Sequence, residues 1–166
     1  MRINNKLIYQ LSFNNQQHLK SIVDTLSTSN LSGEKYIINI FKKYGFNVIY
    51  AESNENINDD GVDLLLKYEN DFFIIQIKFF LQRQLNYKEM KQYYGEMFLS
   101  KISLDILESF KKNTCVNYVL MCPFVSPRVN ETIKKYKKYK FHLLTGDEFV
   151  SFLVNPKSLW KHKFNN

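Results

Sequence analysis

The chain has 166 residues, 45% of them hydrophobic and 16% aromatic, with few glycines and prolines, which suits one globular domain with a proper core. No apolar run approaches the roughly 20 residues of a membrane span, and the start lacks the long apolar core of a secretory signal. Its two cysteines, Cys115 and Cys122, have no metal-ligand or CxxC spacing and read as free thiols in a reducing compartment. The expected location is therefore cytoplasmic or nucleoid-associated, while the basic, acid-poor start leaves organelle import open as a minor alternative.

In chain order, residues 16–26 carry Leu19, Ile22, Val23 and Leu26 at helical spacing, then break in a polar stretch. Ser32 can cap a second helix that places Tyr36, Ile37, Ile40, Phe41 and Tyr44 on one face and ends at Gly45. A β-branched and aromatic strand follows over 46–51, then a polar loop. Two hairpin strands are predicted at about 62–68 and 72–80. Residues 86–112 have helical periodicity with a bend near Gly95. A buried strand over 117–122 stops at Pro123, and a basic helix spans 127–139. A last strand over 141–144 precedes a helix that opens at Gly146-Asp147 and ends before Pro156. This order predicts a mixed sheet with helices on both sides. Residues 1–30 read as an N-terminal helical extension, 31–155 as the principal domain and 156–166 as a tail.

Charge is unevenly placed. Up to Leu85 nine Lys and Arg balance nine Asp and Glu; from Asn86 onward fourteen face seven, so the whole +7 excess lies in the second half. Such a lobe suits a polyanion, and a solubilising charge excess accounts for it equally well.

Folding the hairpin about Asn70-Asp71 sets Asp63 opposite Lys78 and Leu65 opposite Gln76. Asp63, Gln76 and Lys78 then converge at one end, flanked by Leu64, Leu66, Phe73, Ile75 and Ile77. Phosphodiester cleavage calls for a hard cation with oxygen ligands. Asp63, the Gln76 side-chain oxygen, the Ile77 carbonyl and Glu34 could supply them, with Lys78 orienting a water and stabilising developing charge. From chemistry alone, an ordinary cross-strand Asp–Lys pair with a neighbouring Gln explains the same residues. Residues 56–61 echo the start of a calcium loop, but Asn56 opens it and Lys67 stands where a bidentate Glu is required, so that motif is rejected.

Ser32-Gly33-Glu34 opening a helix, Gly45-Phe46-x-Val48 closing it, then Asp60-Gly61-Val62-Asp63 and Gln76-Ile77-Lys78 resemble the Mrr-type branch of the PD-(D/E)xK nuclease superfamily. The resemblance covers residues 32–80 and continues weakly to about 154. It implies a restriction-endonuclease-like α/β fold with an αβββαβ core, and a Mg²⁺- or Mn²⁺-dependent DNA endonuclease. It also implies that Asp63 is the metal ligand, Lys78 the catalytic lysine and Glu34 the helix carboxylate near the metal. Gln76 stands in place of the superfamily's second acid, which removes one negative charge, and Val62 replaces its proline. A non-catalytic nucleic-acid-binding or scaffold protein that kept the fold is the alternative.

DNA is the expected partner, with a homodimer or a separate specificity partner as further expectations. The run IKKYKKYK contributes Lys134, Lys135 and Lys138 as candidate phosphate contacts, and Arg128, Lys88, Lys91 and Lys101 are comparable.

Overall fold

The computed structural model describes residues 1–52, 61–109 and 114–165. The polar loop read between the first two strands falls almost wholly outside them. After a 3-10 turn at Ile8–Gln10 come two helices, α1 (Phe13–Thr28) and α2 (Gly33–Lys43). Ser12 and Ser32 cap them, each hydroxyl accepting from the backbone N–H three residues on. Leu19, Val23 and Leu26 bury one face of α1; Ile37, Ile38, Ile40 and Phe41 do the same for α2. Gly45 then takes φ +74°, the left-handed conformation that ends a helix cheaply only in glycine.

Five strands follow with the remaining helices: β1 (Asn47–Ala51), β2 (Leu64–Tyr68), β3 (Asp71–Ile77), α3 (Tyr87–Phe98), α4 (Lys101–Ser109), β4 (Val116–Met121), α5 (Pro127–Tyr136), β5 (Phe141–Leu144), α6 (Gly146–Val154) and α7 (Pro156–Phe164). Their order in the sheet is β1-β2-β3-β4-β5. The first two pairings are antiparallel and the last two parallel. The succession α2–β1–β2–β3–α3–α4–β4 is the expected αβββαβ core of a restriction-endonuclease-like fold, with the helix between the third and fourth strands divided in two. Among the described residues no helix is long and apolar enough to cross a membrane.

Period-two alternation divides the apolar residues between two cores. Leu64, Leu66, Phe73, Ile75 and Ile77 face α1, α2, α6 and α7; Leu65, Phe72, Ile74 and Leu120 face α3, α4 and α5. Strand β3, at the centre, is buried along nearly its whole length, as expected of a strand covered on both sides.

Three expectations are corrected. The periodic stretch 86–112 is two helices within its described part, and the break falls at Leu99–Ser100, not at Gly95. Ser100 makes the break by capping: its hydroxyl accepts from Ser103 N–H at 3.1 Å and donates to Met97 C=O at 2.7 Å. The basic helix ends at Tyr136 and continues only as a 3-10 turn, Lys137–Tyr139. The segment read as a tail forms α7, because Pro156 starts a helix there, its missing N–H costing nothing in a first turn.

Helix α7 drives Trp160 into the first core, with ring centroids 4.5 Å from Phe164, 5.2 Å from Phe73, 5.4 Å from Phe41 and 5.6 Å from Phe46. Trp160 is fully buried and lies where α2, β3 and α6 meet. Trp160→Ala is expected to cost about 3–5 kcal/mol of stability, read as a fall in the urea midpoint at unchanged slope. The N-terminal segment is held in the same way. Asn4 N–H donates to Leu81 C=O at 2.8 Å, and the Asp147 carboxylate accepts from Ser12 N–H and from the Asn15 amide.

Candidate active site

The hairpin turns on Glu69–Asn70, with Tyr68 opposite Asp71 and φ +55° at Glu69, rather than on Asn70-Asp71. The pairing is thereby displaced by two residues. A two-residue slip keeps every side chain on its expected face but changes its neighbours. Regular pairing ends at Leu64–Ile75. Beyond it, Asp63 N–H donates to Ile75 C=O at 2.9 Å, and the Asp63 carboxylate replaces the backbone as acceptor for Ile77 N–H, at 2.5 Å. Glu52 N–H donates to Asp63 C=O at 2.9 Å, tying the end of β1 to the same residue. One residue thus ties the ends of β1 and β3 to the start of β2.

Asp63 is only 8% exposed. Burial pushes its carboxyl up to about 8, and a side-chain hydrogen bond with Glu52 pushes the same way; Ile77 N–H and the Lys78 charge pull back. Two carboxyl groups in contact need a shared proton or a cation between them. Glu52 was not singled out from the sequence, where it falls between the strand read over 46–51 and the polar loop that follows. The signal is an acid directly after a strand, and it acquires meaning only once β1 is paired with β2.

Gln76 is 2% exposed. Its Nε2 donates to Glu96 Oε2 on α3 at 3.4 Å, and its Oε1 has no hydrogen-bond partner among the described residues. The Asp63–Lys78 ion pair expected from the sequence does not form. Lys78 Nζ instead lies over the Tyr93 ring, 4.7 Å from its centroid, while Lys78 N–H donates to Met121 C=O at 2.8 Å. Tyr93 therefore faces the candidate lysine.

Glu34, in the first turn of α2, accepts from Phe79 N–H at 3.2 Å, one residue beyond Lys78. That approach depends on Gly33. A Cβ there would lie 2.2 Å from Cγ of the Phe79 ring, so Gly33→Ala is expected to displace the ring or the helix start and cost about 1–3 kcal/mol. Chemical denaturation measures it. Asp60 lies outside the described residues.

Among the described residues no three His, Cys, Asp or Glu side chains are gathered as a metal cluster. What is gathered is a carboxyl pair, Asp63 and Glu52, and on the neighbouring strand a buried amide oxygen with no partner among the described residues. Both are oxygen donors of the kind hard divalent cations take, and a cation can displace the shared proton. The donor set fits such an ion.

All seven candidate DNA-contacting cations are exposed. Arg128 stacks 3.8 Å from the Tyr87 centroid on one side and Lys91 Nζ lies 4.7 Å from it, so the starts of α3 and α5 hold these two cations together with Lys88. These helices leave the ends of β3 and β4, the sheet edge that carries Lys78. Lys134, Lys135 and Lys138 lie elsewhere. They precede Phe141, which pairs with Tyr118 at the entry of β4, whereas Lys78 bonds Met121 at its exit. The site and that run stand at opposite edges of the sheet. Cys122 is inert as a nucleophile, its thiol pushed up to about 12 by burial.

No family model matches the chain, and no curated protein matches it. Among solved structures it is similar to the crystal structure of a repair endonuclease from Pyrococcus abyssi, at 18% sequence identity and a TM-score of 0.40. The match covers 71% of this chain and 48% of that one, so the chain spans about half the length of the structure it matches.

Proposed function

We propose that this protein is a metal-dependent DNA endonuclease of the PD-(D/E)xK type, close to the Mrr-like branch, hydrolysing phosphodiester bonds with Mg²⁺ or Mn²⁺. The observation that supports it most is the Asp63 carboxyl, buried and sharing a hydrogen bond with Glu52, on the strand next to a Gln76 oxygen with no partner among the described residues, at the strand end where Lys78 emerges.

Asp63 and Gln76 would hold the cation, with Glu52, the Ile77 carbonyl and Glu34 as further oxygen donors. A bound divalent ion supplies positive charge to the scissile phosphate and lowers the pKa of an attacking water. Lys78, on a flexible stem held by Tyr93 and by no acid among the described residues, orients that water and offsets charge developing on the phosphate. Ile77 N–H keeps the Asp63 carboxyl aimed, so little reorganisation is needed when substrate arrives. Lys88, Lys91 and Arg128 contact the DNA backbone at the same edge and position it without reading sequence. Lys101, Lys134, Lys135 and Lys138 would engage DNA only where it extends past that edge. Specificity then comes from DNA shape, a second copy or a separate partner.

One observation favours a second reading, a nucleic-acid-binding protein that keeps the fold without the chemistry: the lack of a three-acid cluster among the described residues. Incubation with supercoiled, linear, branched and single-stranded DNA separates the two. Cutting with Mg²⁺ or Mn²⁺ that stops in EDTA supports the nuclease. DNA that is bound tightly but left intact under every condition supports the binding protein.

A further inference from the structure

The amide of Gln76 has two ends of nearly equal shape, and only the oxygen can serve a cation. Something must decide which end faces which way. Glu96 has the chemistry to do so, since an ionised carboxylate accepts and never donates. Its Oε2 takes Gln76 Nε2 at 3.4 Å, leaving Gln76 Oε1 as the end with no partner among the described residues. Its other oxygen, Oε1, accepts from Gln92 Nε2 at 2.9 Å, one helical turn earlier on α3. A third feature brings Glu96 this close. Gly61 sits against it with φ +73°, and a Cβ there would be 2.7 Å from Glu96 Cβ.

We infer that Glu96 is a positioning residue, which locks the Gln76 amide so that its oxygen is presented to the cation held by Asp63. The inference rests on the metal-dependent reading above. It also explains how a site with Gln in place of the second acid keeps a usable ligand: the negative charge stands one step behind the amide, on α3, and orders the oxygen in front of it. Outer partners of this kind typically change metal affinity by about 10–100-fold.

The test is Mn²⁺ titration calorimetry on the full chain, comparing the parent, Glu96→Gln and a double variant that exchanges the two side chains, Gln76→Glu with Glu96→Gln. In Glu96→Gln the new amide can either accept from Gln76 Nε2 or donate to Gln76 Oε1, so the lock is lost and Mn²⁺ affinity is expected to fall about tenfold or more. In the exchanged pair the amide now on α3 donates to the carboxylate now on β3, which restores a single arrangement, and affinity is expected to return to the parent's level or above it. Urea midpoints of all three establish that folded protein is compared. Equal Mn²⁺ affinity in the parent and Glu96→Gln would overturn the positioning role and leave the metal site standing. A loss that the exchange does not rescue would overturn it too, marking Glu96 as structural. No Mn²⁺ binding by the parent would overturn the metal reading and this one with it.

Discussion

Lys78→Ala is expected to lower the rate of DNA cleavage by about 10²–10⁴-fold, the range seen when a group that stabilises transition-state charge or moves a proton is removed. The fold should hardly notice. The backbone bond from Lys78 N–H to Met121 C=O survives the change, the side chain makes no ion pair with any described residue, and its contact with Tyr93 is worth about 0.5–1 kcal/mol. Mn²⁺ affinity should hold or rise slightly, because a positive charge near Asp63 has gone. Lys78→Arg should recover only a small part of the activity: a planar fork cannot replace a compact ammonium at the same point. Initial rates of plasmid nicking, with urea midpoints for each variant, measure both halves of this expectation. Cleavage by Lys78→Ala at the parent's rate would remove the lysine from the mechanism.

The second large effect is on stability. In the folded protein the Asp63 carboxyl keeps its proton up to about pH 8, whereas the unfolded chain releases it near 3.8. The folded state therefore binds the extra proton across that window, and stability falls as pH rises from about 4 to about 8 in the absence of metal. His142 has the opposite slope. Burial, then Lys163, Lys140 and Lys137, lower it from 6.5 to about 4, so stability is lost as pH drops below about 6.5. The interval between pH 6.5 and 8 isolates Asp63. There the parent in EDTA should lose about 2 kcal/mol, while Asp63→Asn, which can still accept from Ile77 N–H, should lose far less. Added Mn²⁺ should stabilise the parent more at pH 8 than at 6.5, since the ion competes with a proton. Identical slopes in parent and variant would mean that the carboxyl pair does not titrate as its burial requires.

What was legible in the sequence shared one property, that it depended on local chemistry. Ser32 capping α2, Gly45 ending it, the apolar faces of β2 and β3 and the strand at Phe141–Leu144 follow from cap preference, left-handed φ and period-two alternation. That Asp63, Gln76 and Lys78 share one face of the sheet was equally readable, because face parity survives a two-residue slip. Their partners were not. Both Glu69-Asn70 and Asn70-Asp71 can form a tight turn, and the choice between them decided whether Asp63 met Lys78 or the backbone of Ile77.

Glu52 and Glu96 needed tertiary information. One matters because β1 pairs with β2, the other because α3 crosses the sheet where Gly61 leaves room. The lysine run at 134–138 was singled out on charge and interleaved tyrosines, and composition carries no address; only the parallel β4–α5–β5 crossover sends it to the far edge. Pro156 was read as a stop when it was a start. The deciding residue, Trp160, lies four positions later, and its burial among Phe41, Phe46 and Phe73 is a property of the assembled core.

Whether the ends of β2 and β3 form a divalent-cation site for phosphodiester hydrolysis is tested most directly by Mn²⁺ calorimetry at pH 8 on the parent and Asp63→Ala. Saturable binding by the parent that is lost in the variant, with both proteins folded, is the expected result. Absence of binding in the parent, or equal binding in the two, would contradict it.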